Sequence, residues 1–441
     1  MKQKKQSNKS IRGLVLTLRP DHAQKLLLDK HLNDTRFIYN KYVEEYLNSI
    51  KENRLPNYKD YKDLRSQHVF LEGSYSWTLN QVKFKFLQTN KINRNKRLKG
   101  QKVGLVKFRS KKSHSDYFYI DNVKLSYNPD CKPKSYVKIP KVGNVQFKCK
   151  NIKSEFLNGK IKSGTIKRTK TGEYKISLLV EVDKVYEDNV DNGHVGLDMS
   201  LKDFFVDSSG AKAPEFSTKR SKMESLQKKI NSLNETISTM RTKSKKKSHT
   251  SVKVHRITMK RNKLFERIHN IQKDYINKLS RDLCKHNELI VVENLDIKEM
   301  SKHTSYLDAK TTTKGGNHGK SVGLLQWNYF LKKLEENAEK FRCVIVYADK
   351  YFPSSQFCSK CGKIHREMKD VSKRTLECEC GNVIDRDYNS ALNLLKFGEI
   401  VVYNTPHQTL GKELSEYKAF KCLDYRVTRD FQMFELELQL L

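Results

Sequence analysis

Apolar positions recur along this chain with two periods, and the places where the period switches divide it. Residues 11–19 alternate, with Leu14, Leu16 and Leu18 on one face, which predicts a strand buried on one side. After Pro20, Asp21 with Gln24 three residues on has the form of a capping box opening a helix. Leu27, Leu28, Phe37, Ile38, Tyr42 and Tyr46 carry the helical period onward, and a second helical stretch runs from about Trp77 to Lys91. From Asp116 to Val182 the texture is again that of strands. Val137 and Ile139 precede Pro140, and Lys170-Thr171-Gly172-Glu173 is a hairpin turn feeding Tyr174, Ile176, Leu178 and Val180. The pattern predicts a β-domain whose first strand is separated from the others by a helical insertion.

Asp191-Asn192-Gly193 marks a boundary. Beyond it, Val195-Gly196-Leu197-Asp198-Met199-Ser200 reads as a short apolar strand interrupted by one carboxylate, and a further strand leads into the turn Asp207-Ser208-Ser209-Gly210. Met223, Leu226, Ile230, Leu233, Ile237 and Met240 step by three and four, the seam of a long helical hairpin. Its returning arm carries Leu264, Ile268, Ile271, Tyr275, Leu279 and Leu283. Leu289 to Val292 is an apolar run of buried-strand type that stops on Glu293, and Val344 to Tyr347 is another. Asp387 opens a helix through Ala391, Leu394 and Leu395, with Gly398 expected just past its end.

The balance of charge narrows the partner. Lys and Arg number 87 against 50 Asp and Glu, a formal net charge of +37. A charge of that size and sign implies a polyanion, nucleic acid first, with a merely soluble basic protein as the plain alternative. A membrane fits less well, because no apolar run approaches the roughly 20 residues of a spanning helix. The basic start Met1 to Gln6 lacks the apolar core of a secretory signal. Residues 241–263 hold ten Lys or Arg and no acid. Within that tip Lys245, Lys246, Lys247, Arg256, Lys260 and Arg261 are candidate phosphate contacts, against the reading of a solvated loop. Nine cysteines, an odd number with four in one cluster, indicate a reducing cytoplasm rather than a disulfide framework.

That cluster is Cys358-x-x-Cys361 followed by Cys378-x-Cys380-Gly381, two close pairs separated by 16 residues. Four thiolates at this spacing meet the requirement of a closed, tetrahedral structural zinc site. Directly after it comes Asp385-Arg386-Asp387-Tyr388-Asn389, whose carboxylates zinc does not need. Asp198 within a strand, Glu293 at a strand end and Asp387 at a helix start occupy positions where an unpaired charge is costly. Singly, each reads as well as a cap, an edge residue or a salt-bridge partner. Converging, they would repel one another and invite Mg²⁺, and two such ions can hydrolyse a phosphodiester.

In order and local context these segments resemble the TnpB family, RNA-guided nucleases encoded by insertion sequences and similar to the miniature type V CRISPR effectors. Gly196-Leu197-Asp198, Val292-Glu293-Asn294-Leu295 and the run from Asp385 to Ala391 look like its three RuvC nuclease motifs. Ser354-Ser355-Gln356-Phe357-Cys358-Ser359-Lys360-Cys361-Gly362 matches its zinc-knuckle lead-in. Arg36-Phe37-Ile38-Tyr39-Asn40 and Phe108-Arg109-Ser110-Lys111 fit its N-terminal half, so the resemblance runs from about 11 to 398.

The resemblance implies an α+β multidomain protein. An N-terminal, wedge-like β-barrel would comprise 1–20 and 116–190, with a helical recognition lobe at 21–115. An RNase H-like RuvC nuclease domain would comprise 191–352 and 385–398, including the helical hairpin 219–285, with a zinc-ribbon insertion at 353–384. The tail 399–441 has no role assigned. Asp198, Glu293 and Asp387 would be the catalytic ligands of Mg²⁺ or Mn²⁺, with Asp385 only nearby. Cys358, Cys361, Cys378 and Cys380 would hold structural Zn²⁺. Ser390, in place of a common alanine, is expected to be without consequence, and Gln81 and Lys107 are further candidate nucleic-acid contacts. The implied partners are a guide RNA and target DNA, with base pairing supplying specificity. The implied reaction is metal-dependent cleavage of DNA beside a short motif, in a prokaryotic cytoplasm. Two other readings stay open: a nuclease-inactive, RNA-guided repressor, and a transposase acting directly in strand transfer. Relatives of the first kind typically lose a catalytic acid, and all three are present here.

Overall fold

The computed structural model describes residues 9–111, 116–130, 134–148, 151–243, 252–295, 325–349, 352–403 and 419–423. The chain divides into two compact units, Met1–Lys184 and Val185–Leu441. Both are mixed α/β.

In the first unit the alternating start forms β1 (Lys9–Arg19), burying Leu14, Leu16 and Leu18. The capping box is present: Asp21 Oδ1 accepts from the Gln24 amide at 2.8 Å and starts α1 (His22–Lys51). Helices α2 (Tyr61–Gln67) and α3 (Ser76–Leu98) follow. Ile38, Tyr42, Leu64, Leu79, Val82 and Phe86 make their shared core. Then come β2 (Tyr117–Ile120), β3 (Lys124–Ser126), β4 (Tyr136–Ile139), β5 (Gly143–Phe147), the short α4 (Ser154–Leu157), β6 (Lys160–Arg168) and β7 (Tyr174–Asp183). The seven strands run β2-β6-β7-β1-β5-β4-β3, every neighbour antiparallel. β1, first in the chain, is thus the central strand, separated from its partners by the helices as its pattern implies.

The expected barrel does not close. Among the described residues β2 and β3 are the two edges of the sheet. Yet residues 121–123 lead from one edge directly to the other, and four Cα steps reach at most about 14 Å. The sheet therefore curls until its edges approach, without a ladder between them. The reason is local: β2 has four residues, β3 three, and Asn122 between them has φ 48°, so a bend joins them.

In the second unit β8 (Gly193–Ser200) and β9 (Phe204–Asp207) precede the hairpin of α5 (Phe216–Lys243) and α6 (Val252–His286). Met223, Leu226, Ile230 and Ile268 pack along its seam as the three-four spacing predicts. Next are β10 (Asn287–Glu293), α7 (Trp327–Phe341) and β11 (Val344–Ala348). The two-stranded β12 (Thr375–Glu377) and β13 (Val383–Asp385) lead into α8 (Arg386–Tyr403), and β14 (Ala419–Leu423) comes last. The main sheet is ordered β14-β11-β10-β8-β9, parallel across β11, β10 and β8 and antiparallel at both edges.

Helices cover both faces of this sheet, which is why β10 reads as an unbroken apolar run. Ile290 and Val292 join Val195, Leu197, Ile345 and residues of α6 and α7 on one side. Leu289 and Val291 join Leu394 and Phe397 of α8 on the other. α8 lies so close that a Cβ at Gly196 would fall 2.2 Å from the Ala391 carbonyl oxygen, and one at Gly398 2.1 Å from Val291 Cγ2. Gly398 is therefore a packing position inside α8, not the residue that ends it. The tail after 399, to which the sequence reading assigns no role, supplies β14 as an edge strand of this sheet.

Candidate functional site

Alternation along the two central strands decides where their acids turn. Val195 and Leu197 of β8 belong to the α6–α7 core, so Gly196 and Asp198 face α8. Ile290 and Val292 of β10 share that core, so Leu289, Val291 and, by the same period, Glu293 also face α8. Val292 lies opposite Leu197, which makes Glu293 and Asp198 the next residues at the ends of adjacent parallel strands. α8 brings Asp387 in its first turn, near enough for its charge to act on both. Asp385 caps the helix instead, its Oδ1 accepting from the amides of Asp387 at 2.9 Å and Tyr388 at 3.2 Å.

Two buried hydroxyls connect the strand acids. Ser390 Oγ lies 3.0 Å from Asp198 Oδ1 and 2.7 Å from Ser354 Oγ, and Ser354 Oγ donates to Glu293 Oε1 at 2.7 Å. Asp198, like Glu293, thus stands at one end of a row of two hydroxyls and accepts from the nearer one. Burial first, then the charges of Glu293 and Asp387, push its pKa well above the usual aspartate range, against the pull of Ser390 and Arg386. Burial likewise raises Glu293, while the Ser354 hydroxyl and Arg386 draw it back and Asp387 adds to the rise. Both acids keep part of their surface in solvent. Ser390 is thus not a neutral replacement for alanine; its hydroxyl joins the two acids.

Crowded carboxylates whose charges oppose one another fit a hard divalent cation, which takes oxygen ligands and relieves the repulsion. The third acid stands apart, however. Asp387 Oδ2 accepts from Arg374 Nη2 at 2.5 Å, and among the described residues the three carboxylates do not form one converged ligand group.

The four thiols do converge. Their sulfurs all lie within 4.8 Å of one another, with Cys358 to Cys380 at 3.7 Å and Cys361 to Cys378 at 3.5 Å. A tetrahedron with metal–sulfur bonds of about 2.3 Å spaces its sulfurs by about 3.8 Å, so the donor set fits zinc. Each pair sits on a tight backbone turn, Gly362 N to Cys358 O at 2.8 Å and Gly381 N to Cys378 O at 2.9 Å. Burial opposes ionisation of Cys358, but backbone amides and the Asn382 side chain aimed at its sulfur outweigh it and hold the thiol at about 6. Cys378 is pushed up to about 12: an amide of Cys380 favours its thiolate, but burial and the neighbouring thiols prevail. A cation at their centre would relieve the repulsion between neighbouring thiolates.

α8 fastens the two clusters together. Asn389 Oδ1 accepts from Ser359 N at 2.9 Å, and its Nδ2 donates to Phe357 O at 2.6 Å. Asn393 Nδ2 donates to the carbonyls of Ser354 at 2.7 Å and Phe357 at 2.8 Å, and Lys396 Nζ donates to Ser359 O. Positions four and seven residues after Asn389 thus grip the segment that supplies both Ser354 and Cys358. The sequence reading missed Arg374 and the Ser354–Ser390 pair. Ser354 does lie in the quoted lead-in, but nothing in its spacing marks it as a partner of Glu293.

Of the candidate nucleic-acid contacts, Lys107, Arg256 and Lys260 are exposed and Gln81 is half-buried on α3. Arg261 donates to Asn234 across the hairpin at 3.1 Å, so part of its capacity is structural. Lys245, Lys246 and Lys247 lie outside the described residues. No described helix is long and apolar enough to cross a membrane.

Two family models match the chain: one described as "Probable transposase" over residues 177–304, the other as "Cas12f1-like, TNB domain" over 327–394. A protein of Streptomyces pristinaespiralis described as "Putative RNA-guided DNA endonuclease" is 25% identical over 234 residues, 53% of this chain and 52% of that one. TnpB-like protein L79 of Acanthamoeba polyphaga mimivirus is 29% identical, over 51% of this chain and 41% of its own. InsQ of Escherichia coli K12, described like the Streptomyces protein, is 22% identical over 68% of this chain and 70% of its own. The chain spans about half the length of the first of these relatives and less of the second. A solved chain in a Cas12f1–sgRNA–target DNA complex aligns with 88% of this chain and 99% of that one, at 14% identity and a TM-score of 0.49.

Proposed function

We propose that the chain is a member of the TnpB family, as its two family models and its relatives support, and that it is an RNA-guided, metal-dependent DNA endonuclease of a transposable element. The observation that carries this reading is the register of β8 and β10, which sets Asp198 and Glu293 side by side on the α8 face. Asp387, in the first turn of α8, would complete the set when a metal draws it from Arg374, as a RuvC-type site requires. Divalent ions bound by these acids would supply Lewis acidity to the scissile phosphate and activate the attacking water.

The residues themselves prepare that site. Ser390 and Ser354 fix the carboxyls of Asp198 and Glu293 and leave their remaining oxygens to the metal. Arg374 holds Asp387 until the ligands close, and its guanidinium is then placed to meet a phosphate. Cys358, Cys361, Cys378 and Cys380 would hold zinc as its four ligands, a donor set that serves a structural role. Asn389 and Asn393 tie the zinc segment to the helix bearing Asp387, so losing zinc disturbs cleavage as well as stability. Exposed cations of each unit, Lys107 in the first and Arg256 and Lys260 in the second, bind phosphates while base pairing between guide and target selects the site.

The deciding experiment is to purify the protein from its host, sequence the nucleic acid bound to it, and supply a matching DNA with Mg²⁺. A discrete RNA that directs cutting, lost in the Asp198→Ala protein, is the expected result. A protein that carries no RNA, or one that cuts equally well with Asp198 replaced, overturns the reading.

A further inference from the structure

Two N-terminal segments, 36–40 and 108–111, meet in the first unit. The Asn40 side chain holds both backbone groups of Arg109, donating to its carbonyl at 3.0 Å and accepting from its amide at 2.8 Å. Tyr39, next in sequence, lies under the Arg109 guanidinium at 3.7 Å from ring centroid, and Tyr117 of β2 lies 4.7 Å from the same group. Tyr117 Oη also accepts from Arg109 Nη2 at 3.0 Å. That is the only hydrogen bond of the guanidinium among the described residues, so most of its donors remain to be used. Beside it Lys85 of α3 sits 5.4 Å over the ring of Tyr119.

These groups wall a cavity of about 170 Å³, whose floor is Val82, Phe86 and Phe118. That is far above the roughly 10–15 Å³ that admits a single water. Its lining holds two cations, three tyrosines and no carboxylate. The nearby Asp116 is already paired, with Arg36 at 2.5 Å. A wall of this kind offers flat aromatic faces and a stacked guanidinium to a planar ring, and uncompensated positive charge to an anion joined to it. A nucleotide has both parts, and stacking on tyrosine or arginine accepts any base.

We propose that this cavity takes one unpaired nucleotide of a nucleic-acid strand, its base against Tyr117 and Tyr119 and its phosphate toward Arg109 and Lys85. The site is distinct from the acidic cluster and from the basic hairpin tip. It rests on the functional reading above only in taking the polyanionic partner to be nucleic acid. Because the backbone of Arg109 is held by Asn40, its side chain and those around it can change while the loop keeps its place.

The test uses the full chain without added divalent metal, so that cleavage plays no part. Three probes are compared at fixed salt: a uridine decamer with one 4-thiouridine, its deoxy counterpart with one 4-thiothymidine, and free UMP. Expected are photo-crosslinks from one of the strands to Tyr39, Tyr117 or Tyr119, which also identifies whether RNA or DNA is the source. Tyr117→Leu should weaken binding of that strand about tenfold with its salt dependence unchanged, the mark of a lost stack. Lys85→Gln should weaken it and lower the salt slope, whereas Lys138→Gln, exposed on β4 and outside the cavity, should leave the crosslinks in place. If Tyr117→Leu does not fold, Lys85→Gln together with the crosslink map decides. Crosslinks that avoid all three tyrosines, or binding of UMP but of neither strand here, overturn the proposal. Binding of strands elsewhere on the chain sinks this inference alone, whereas no binding of nucleic acid at all sinks the functional reading with it.

Discussion

The thiol cluster and the acid cluster sit on the two ends of one clamp, and they are built on opposite principles. The four sulfurs come from two short turns and have already converged to within 4.8 Å. The three carboxylates come from β8, β10 and α8, elements far apart in sequence, and stay partly separated with Asp387 drawn toward Arg374. One site is finished by folding and has no opening left; the other holds its charges under tension and open to solvent. The lesson is that a ligand set closed by local turns serves stability. One assembled from distant elements, and left electrostatically unsatisfied, is suited to a metal that must also meet a substrate.

The strongest way to break that comparison is to remove one ligand from the finished site. Cys361 is exposed, so Cys361→Ser disturbs little packing and isolates the metal's contribution. Structural zinc in small domains is worth on the order of 10 kcal/mol. The variant should lose its zinc, from about one ion per chain to none by elemental analysis, and the 353–385 segment should become protease-sensitive. A zinc-free wild-type protein of unchanged melting temperature would refute the contrast at its root.

Removing a ligand from the other site should do the reverse to stability. Asp198 is raised in pKa by burial and by its acidic neighbours, so its charge is a burden in the metal-free fold. Asp198→Asn keeps the Ser390 contact and removes that charge. Without Mg²⁺ its melting temperature should rise by a few degrees, the roughly 2–4 °C that 1 kcal/mol is worth in a unit of this size. Cleavage should fall by at least about a thousandfold, since such ligands act as a unit. A variant that melts lower than wild type without metal would show that the acids are not in tension.

How much of this was legible in the chain follows from where each constraint resides. The strands, the hairpin seam and the α1 cap are repeats of local pattern, and they stand where the pattern places them. Asp198 and Glu293 could be singled out because a charge interrupts or ends an apolar run. Their facing of α8 follows from period two once the pairing is known, but the pairing itself is a long-range fact. Gly398 misled because a helix-ending glycine and a close-packing one look alike in sequence; only the approach of Val291 tells them apart. Ser390 misled in the same way, since its worth depends on Asp198 and Ser354, 192 and 36 residues away. The barrel was implied by the resemblance alone, since strand count and alternation are the same for a closed sheet and a curled one.

Ser390→Ala sharpens the comparison at an intermediate scale. It returns the position to the common alanine and leaves Asp198 without its hydroxyl partner. Groups that orient metal ligands typically contribute 10- to 100-fold to affinity or activity. Mn²⁺ binding followed by paramagnetic resonance should weaken about tenfold, with zinc content unchanged. Equal Mn²⁺ affinity in the two proteins would show that the hydroxyl row is only packing.

The smallest effect expected, and the one of opposite sign, is at Arg374. Its guanidinium holds the Asp387 carboxylate at 2.5 Å, while the arginine side chain itself is 56% exposed. A pair this open to water contributes about 1 kcal/mol at most. That is the amount by which metal must compete with Arg374 for Asp387, and the cation also repels an incoming ion. Arg374→Ala should therefore tighten Mn²⁺ binding by roughly fivefold, whereas Arg374→Lys, which keeps a charge but not the planar fork, should fall between. Raising the salt concentration should shrink the difference between wild type and Arg374→Ala, because the interaction is at the surface. If cleavage falls in Arg374→Ala while Mn²⁺ binds more tightly, the arginine also acts on the phosphate once released. If Mn²⁺ binds less tightly, the ion pair is not a competitor of the metal, and the acids are held apart by the geometry of α8 alone.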